Sequence, residues 1–307
     1  MRVLVTGGAG FIGSHVVEAL LARDHQVVVV DNLSHGLRDN VSPRAQFIQG
    51  DILNPEAWRS QVGQADAMIH LAAQISVPVS EDEPESDVRT NVLGTVGMLQ
   101  TAQQLGCREF RFASSAAVYG DNPRVPLDED EAGVPLSYYG LDKCIAEFYV
   151  RHEDGKGTLK GMVLRLANVY GPRQRTQGEG GVVAIFSEAL AHGTRPVIFG
   201  DGGQTRDFIY VGDVAEAFAW KLGEPGPGMT LNIGTETAVT VDAVWRHLAD
   251  LAGQSADGVE HGPERSGDIR HSRLKTVRAA AWGFQARTPL KEGLRETFQY
   301  FQRLNRP

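Results

Sequence analysis

The chain has 307 residues, 42% of them apolar and 22% charged, with a formal net charge of −8. That length buries a large core, that composition excludes a disordered or fibrous chain, and the acidic excess argues against a nucleic-acid or polyanion surface. Cys107 and Cys144 are the only cysteines, too few for a disulfide framework or a metal site. With no apolar run of membrane-spanning length, we expect a soluble, cytoplasmic protein that holds no metal.

Residues 1–13 place a short apolar run before Gly7, Gly8, Gly10 and Gly13, and an amphipathic segment follows at once. Strand, glycine loop and helix in that order form the cradle for a dinucleotide pyrophosphate. From Gly8 the pattern reads G-x-G-x-x-G; from Gly7 it reads G-x-x-G-x-x-G. The backbone must turn and approach phosphate closely, and the new helix turns its free N–H groups to the anion. Gly7, Gly10, Phe11, Ile12 and Gly13 are therefore candidate cofactor contacts. A second strand ends in Asp31, eighteen residues beyond Gly13. A carboxylate there accepts from both hydroxyls of an adenosine ribose and repels a 2′-phosphate, which favours NAD over NADP, with Arg38 the nearby cation that speaks for NADP.

Short apolar runs at 3–5, 27–30, 47–49, 67–71, 109–113 and 162–166 read as buried strands, and helical spacing occupies 14–23, 56–61, 87–105 and 139–153. This βαβ rhythm predicts an α/β fold, a doubly wound parallel (Rossmann) sheet with ligands at the carboxyl ends of its strands. Past Asn168 the rhythm loosens. Residues 171–181 have the composition of a binding loop, 183–192 reads as a helix, and 195–203 as a strand entering a glycine turn. Strand then helix is expected over 208–222, a Pro/Gly loop over 223–228, and helices over 240–252 and about 289–304. Thr240 and Asp242 are the candidate starts of the first of those helices. We expect a nucleotide-binding domain over 1–168. A smaller α/β substrate lobe covers 169–307, with about 206–223 packing back on the first.

Two segments carry chemistry. Ser114 and Ser115 end a predicted strand where a nicotinamide would lie, and twenty-four residues after Ser115 comes Tyr139-Gly-Leu-Asp-Lys143. Positions four apart share a helix face, so the ammonium sits near the phenol. A free phenol ionises near pH 10, so a base working near neutrality needs its ionisation eased by about 4 kcal/mol. A lysine ammonium and a positive nicotinamide supply that field, with Ser115 relaying the proton. Tyr138 is a rival base, but it lies five residues from Lys143, off that face.

With these residues in this order the chain resembles the extended short-chain dehydrogenase/reductase family, and within it the sugar-nucleotide 4-epimerases, over nearly its whole length. The resemblance implies that Tyr139 is the base, Lys143 its electrostatic partner and ribose ligand, and Ser115 the relay. It implies that Asp31, Asn32, Leu33 and Ser34 follow the second strand at the cofactor, and that Asp51 and Ile52 flank adenine. By the same likeness Leu71, Ala72, Ala73 and Gln74 border pyrophosphate and ribose, while Ser114 and Ala167 lie at the nicotinamide. In the second half it places Asn168, Arg206 and Arg265 on a sugar diphosphate, with Val182 and Val183 opening a helix toward phosphate. Val197 and Phe199 would hold uracil through their backbone, and Asp268 the uridine ribose. Ser272 falls where some members carry a tyrosine against the sugar, leaving room for an N-acetyl group.

The activity so implied is NAD-dependent, reversible C4 epimerisation of a UDP-hexose through a 4-keto intermediate, with the cofactor retained. UDP-galactose and UDP-glucose are the expected pair, the N-acetylated pair a further one. A homodimer through the 87–105 and 139–153 segments is implied as well. The rivals are a UDP-glucuronate 4-epimerase, another sugar-nucleotide oxidoreductase or dehydratase, and a non-catalytic NAD sensor. A 4,6-dehydratase needs an Asp-Glu pair after the strand-end hydroxyl, and here Ala116 and Ala117 stand there.

Overall fold

The computed structural model describes residues 1–131, 133–176, 180–224, 228–257, 259–264 and 269–305. In chain order the strands are β1 (Arg2–Thr6), β2 (Gln26–Asp31), β3 (Gln46–Gln49), β4 (Ala67–His70), β5 (Glu109–Ser115), β6 (Lys160–Leu166), β7 (Asn168–Tyr170), β8 (Val197–Phe199), β9 (Thr205–Tyr210), β10 (Met229–Ile233), β11 (Ala238–Thr240) and β12 (Glu260–Gly262). Seven of them form one parallel sheet in the order β10-β6-β5-β4-β1-β2-β3. The fold is a Rossmann-like α/β fold.

Continuous apolar runs form its inner strands because both faces are covered. Val3 and Val5 pack on one face with Val16 and Val214, while Leu4 packs on the other with Met98 and Ala146. The chain leaves β1 toward β2 on one side and returns at β4 on the other. Strand order therefore reverses at β1, and a crevice opens at the strands' carboxyl ends, the general ligand position in such sheets.

The remaining strands build two small sheets, β11-β9-β7 and β12-β8. A separate core of Val183, Phe186, Trp245, Leu248, Leu294 and Phe298 supports them. The helix Val211–Ala219 packs on Phe11–Leu21. Strand β10, which the sequence reading did not anticipate, completes the large sheet beside β6. Among the described residues, no helix is long and apolar enough to cross a membrane.

Three expected helices differ. The first begins at Phe11, not at 14, because Gly10 already takes the N-cap position. The 56–61 segment divides into a 3-10 turn, Pro55–Ala57, and a short helix, Arg59–Val62, around Trp58, whose indole N–H donates to the Asp51 carbonyl at 2.8 Å. The 87–105 segment is interrupted by a π-helical stretch, Val88–Leu93, before the helix Gly94–Gln104. Within that stretch Asn91 exchanges two 3.0 Å hydrogen bonds with the backbone of Gln74, fixing the loop after β4. Of the two candidate starts near 240, Thr240 is the cap: its hydroxyl accepts from the Ala243 N–H at 3.1 Å.

Candidate active site

The glycine loop fits a dinucleotide. Gly7 has a φ of +72°, and a Cβ there would meet the Ala72 backbone nitrogen at 2.6 Å. The loop is thus pressed against 71–74, the segment expected at the pyrophosphate. Gly13 closes the turn, since a Cβ there would strike the Gly7 carbonyl oxygen. The helix Phe11–Leu21 has no side-chain cap, so its first N–H groups remain to meet an anion. Asp31 accepts from the Ala9 N–H at 3.0 Å and the Leu33 N–H at 2.8 Å. A carboxylate has about four acceptor sites, so ribose hydroxyls still find lone pairs. Asn32 donates to Asp51 at 3.1 Å and accepts from the Ser34 N–H at 3.0 Å, bringing 31–34 and 51–52 together. The Ile52 side chain is buried in the core. Arg38 stacks 4.5 Å from the Phe47 ring centroid and donates to the Val41 carbonyl at 3.5 Å.

Ser115, Tyr139 and Lys143 meet at the end of β5. The helix Tyr138–Gly155 starts at Ser137, whose hydroxyl accepts from the Gly140 N–H at 3.1 Å. A short helix absent from the sequence reading, Val77–Asp82, completes that cap: Ser80 accepts from the Tyr139 N–H and Glu81 from the Tyr138 N–H. The run Ser76-Val-Pro78 was its available signal, since Ser76 accepts from the Val79 N–H. Tyr138 is exposed while Tyr139 faces inward. The Lys143 ammonium donates to the Ala113 carbonyl at 3.0 Å and lies 5.8 Å from the Tyr139 ring centroid.

The electrostatics of the cofactor-free site follow from burial. Burial pushes the cofactor-free Tyr139 phenol up to about 12; a hydrogen bond with Ser115 acts downward and the Asp87 charge acts upward. The Lys143 ammonium is anchored to Ala113, and burial pushes it down to about 8 against the charges of Asp87 and Glu147.

Behind these groups lies a buried network that sequence reasoning missed. The Ser114 hydroxyl donates to Glu147 at 2.5 Å, and Arg165 grips Glu147 through Nε at 2.9 Å and Nη2 at 2.7 Å. Arg165 also donates to the Tyr119 hydroxyl at 2.9 Å, and that hydroxyl donates to Asn232 on β10 at 2.6 Å. Glu147 stands one turn beyond Lys143, a position that could have been read as pointing into the same cleft. Burial alone would raise its pKa; Arg165, Ser114 and Arg151 hold it below the ordinary value.

Of the expected substrate residues, Asn168, Val197, Phe199 and Arg206 lie on β7, β8 and β9. Asn168 is exposed at the start of β7, just beyond buried Ala167, whose N–H donates to Ile233 at 2.9 Å. Val197 and Phe199 are the exposed pair on β8, either side of buried Ile198. Arg206 lies on β9, and the Ser272 N–H donates to the Thr205 carbonyl beside it at 3.1 Å. The helix Val182–Ala191 starts at Gly181 without a side-chain cap. The Val183 side chain, however, belongs to the core, so that residue offers only its backbone. Arg265 and Asp268 lie outside the described residues.

Residues 3–234 match the family described as NAD dependent epimerase/dehydratase. The chain belongs to this family. A UDP-glucose 4-epimerase of Mycolicibacterium smegmatis is 40% identical over 310 residues, covering 98% of this chain and 99% of that protein. The crystal structure of a UDP-glucose 4-epimerase from Thermotoga maritima with UDP-glucose superposes with a TM-score of 0.95 at 40% identity, over 99% of both chains. A Thermus thermophilus UDP-glucose 4-epimerase in complex with NAD gives 0.90 at 39% identity, over 98% of this chain and 99% of that one. Like other members of the NAD dependent epimerase/dehydratase family, this chain is read as using NAD.

Proposed function

We propose that this protein is an isomerase that interconverts UDP-galactose and UDP-glucose with a retained NAD. The observation that carries the reading is the convergence of Ser115, Tyr139 and Lys143 at the end of β5, in a chain whose glycine loop is suited to a dinucleotide. Gly7, Gly10–Gly13, Asp31–Ser34, Asp51 and 71–74 would hold the cofactor, with Lys143 on its ribose. Bound there, NAD would supply the acceptor and later the donor for the C4 hydride. Tyr139 as phenolate removes the C4 hydroxyl proton through or beside Ser115, and the sugar becomes a 4-ketone. Asn168, Arg206 and Arg265 hold the diphosphate, the β8 backbone the uracil and Asp268 the ribose. The keto sugar then turns about its diphosphate link while UDP stays fixed. Tyr139 returns the proton after the opposite face is presented.

Ala116 and Ala117 support this reading over dehydration, because they provide no acid and base to eliminate water. The exposed Leu93, Leu141, Phe148 and Tyr149 on the helices flanking the site support a homodimer through those faces. The test is incubation with UDP-galactose without added NAD, followed by NMR. UDP-glucose formed with no net redox supports the reading. A 6-deoxy-4-keto product, or no turnover, overturns it.

A further inference from the structure

After β7 the chain turns back toward the helix that follows the glycine loop. The root is a tight turn: the Gln174 N–H donates to the Gly171 carbonyl at 3.4 Å, and the Gln174 side-chain amide to the Val169 carbonyl at 3.1 Å. Three contacts then fix residues 172–175. His15 Nε2 donates to the Pro172 carbonyl at 3.1 Å, the one role a carbonyl leaves it. Arg173 pairs with Glu18 at 2.5 Å, and Arg175 Nη1 donates to the His35 carbonyl at 3.1 Å. Arg173 has a φ of +69°, a conformation costly for a residue with a Cβ, and the contacts on either side hold it there.

The partners stand on both walls of the dinucleotide cradle. His15 and Glu18 lie on Phe11–Leu21, one and two turns beyond the uncapped N–H groups suited to an anion. His35 follows the 31–34 stretch, and its neighbour Gly36 is pressed against that wall: a Cβ there would meet Asp31 Oδ1 at 3.0 Å and the Ala9 Cβ at 2.8 Å. A four-residue segment thus joins the pyrophosphate side of the cradle to its ribose side.

We propose that residues 172–175 are a clasp on the dinucleotide cradle that slows the exchange of NAD, with Arg173 and Arg175 as its latches. None of the three contacts uses a group placed on the cofactor above. Latches that join protein to protein set the barrier to passage rather than the binding energy, so opening them speeds entry and exit alike. Arg23 also ties the end of this helix to a neighbour, pairing with Glu216 on Val211–Ala219. That pair lies about three turns from the cradle, outside the clasp.

The inference rests on the retained NAD of the proposed function and not on its sugar chemistry. Protein loaded with radiolabelled NAD is chased with excess unlabelled NAD, and the label still bound is followed by rapid filtration. Uptake of the label is followed in the same way. Arg173→Ala and Arg175→Ala each speed release about fivefold, and the double variant about twentyfold. Uptake quickens by similar factors, and Kd stays within about twofold of wild type. Arg173→Lys, which keeps a cation opposite Glu18, recovers most of the slow release, and Arg23→Ala leaves it unchanged. Wild-type release quickens with salt, as screening weakens the Arg173–Glu18 pair. Wild-type rates in the double variant overturn the clasp. Faster release with unchanged uptake and a weaker Kd also overturns it, because the arginines then bind the cofactor itself. So does equally fast release from Arg23→Ala, the mark of a general loosening. A protein that takes up no NAD overturns the clasp and the retained cofactor together. The expected rates in a protein that does not turn over UDP-galactose support the clasp and overturn the function proposed above.

Discussion

Lys143 Nζ donates to the Ala113 carbonyl oxygen at 3.0 Å, tying the helix that carries Tyr139 to the strand that carries Ser115. The tie costs stability, because it takes an ammonium out of water. Burial lowers Lys143 to about 8 from an ordinary 10.5, with Asp87 and Glu147 opposing.

The sign follows from linkage. Between about pH 8 and 10.5 the unfolded chain binds the lysine proton more tightly than the folded one, so stability rises with pH across that window. Below it, the buried charge disfavours the fold by about 3 kcal/mol. Lys143→Met is therefore expected to make the cofactor-free protein more stable than wild type at pH 7, with the gain shrinking toward pH 10.5. Urea unfolding at both pH values checks this. On the proposed function the same variant loses epimerisation, so stability and activity move in opposite directions.

Tyr139→Phe is expected to lower kcat by about a hundredfold or more, the range for losing a positioned general base. Ultraviolet titration of tyrosinate separates this role from a packing role. The cofactor-free wild type should show a phenol ionising at about 12 that the variant lacks. Restoring NAD⁺ should move that ionisation to lower pH, because the nicotinamide brings a positive charge. An unchanged titration on adding NAD⁺ would contradict the electrostatic role.

Glu147→Gln removes the anion from a buried site where Arg165 remains. Breaking such a pair from one side costs about 3–5 kcal/mol, because the other charge stays buried without its partner. Because Glu147 has a depressed pKa in the folded protein, its contribution is present above the unfolded value of 4.5 and is lost as pH falls through the folded one. Chemical denaturation at pH 7 should show the loss, and the gap to wild type should narrow on acidification below about pH 4.

The parts of this molecule that were legible in the sequence are those where one physical requirement shapes a short stretch. Buried parallel strands need unbroken apolar runs, and β1 to β6 were all anticipated. Gly7 is readable because only glycine tolerates its φ and the approach of Ala72. β10 was missed because Met229–Ile233 follows a Pro/Gly loop and is a strand only through β6 alongside it. The interruption at Val88–Leu93 was invisible for a similar reason: Asn91 leaves helical register to serve Gln74, seventeen residues earlier. Glu147 and Arg165 lie eighteen residues apart on a helix and a strand, and nothing local announces their pairing. The burial that dominates at Tyr139 in the cofactor-free protein was not legible, because spacing gives proximity to Lys143 but not enclosure.

Ser272 tests how the second lobe limits its substrate. Its N–H is bonded to the Thr205 carbonyl at 3.1 Å, and the neighbouring His271 ring bonds the Thr205 hydroxyl at 2.9 Å. The backbone on which residue 272 stands is thus pinned to β9, next to Arg206. A larger side chain introduced there cannot be relieved easily by moving the strap, and its volume must be met in the space beside it. On the proposed function that space receives the C2 substituent of the sugar, and serine leaves it open. Ser272→Tyr should retain turnover of UDP-galactose within about threefold and lose UDP-N-acetylgalactosamine by about a hundredfold, a discrimination of the size that steric exclusion from a pocket gives. Separate kcat/KM values for the two substrates decide it. Equal losses on both, or no loss on either, would mean that residue 272 does not gate the sugar.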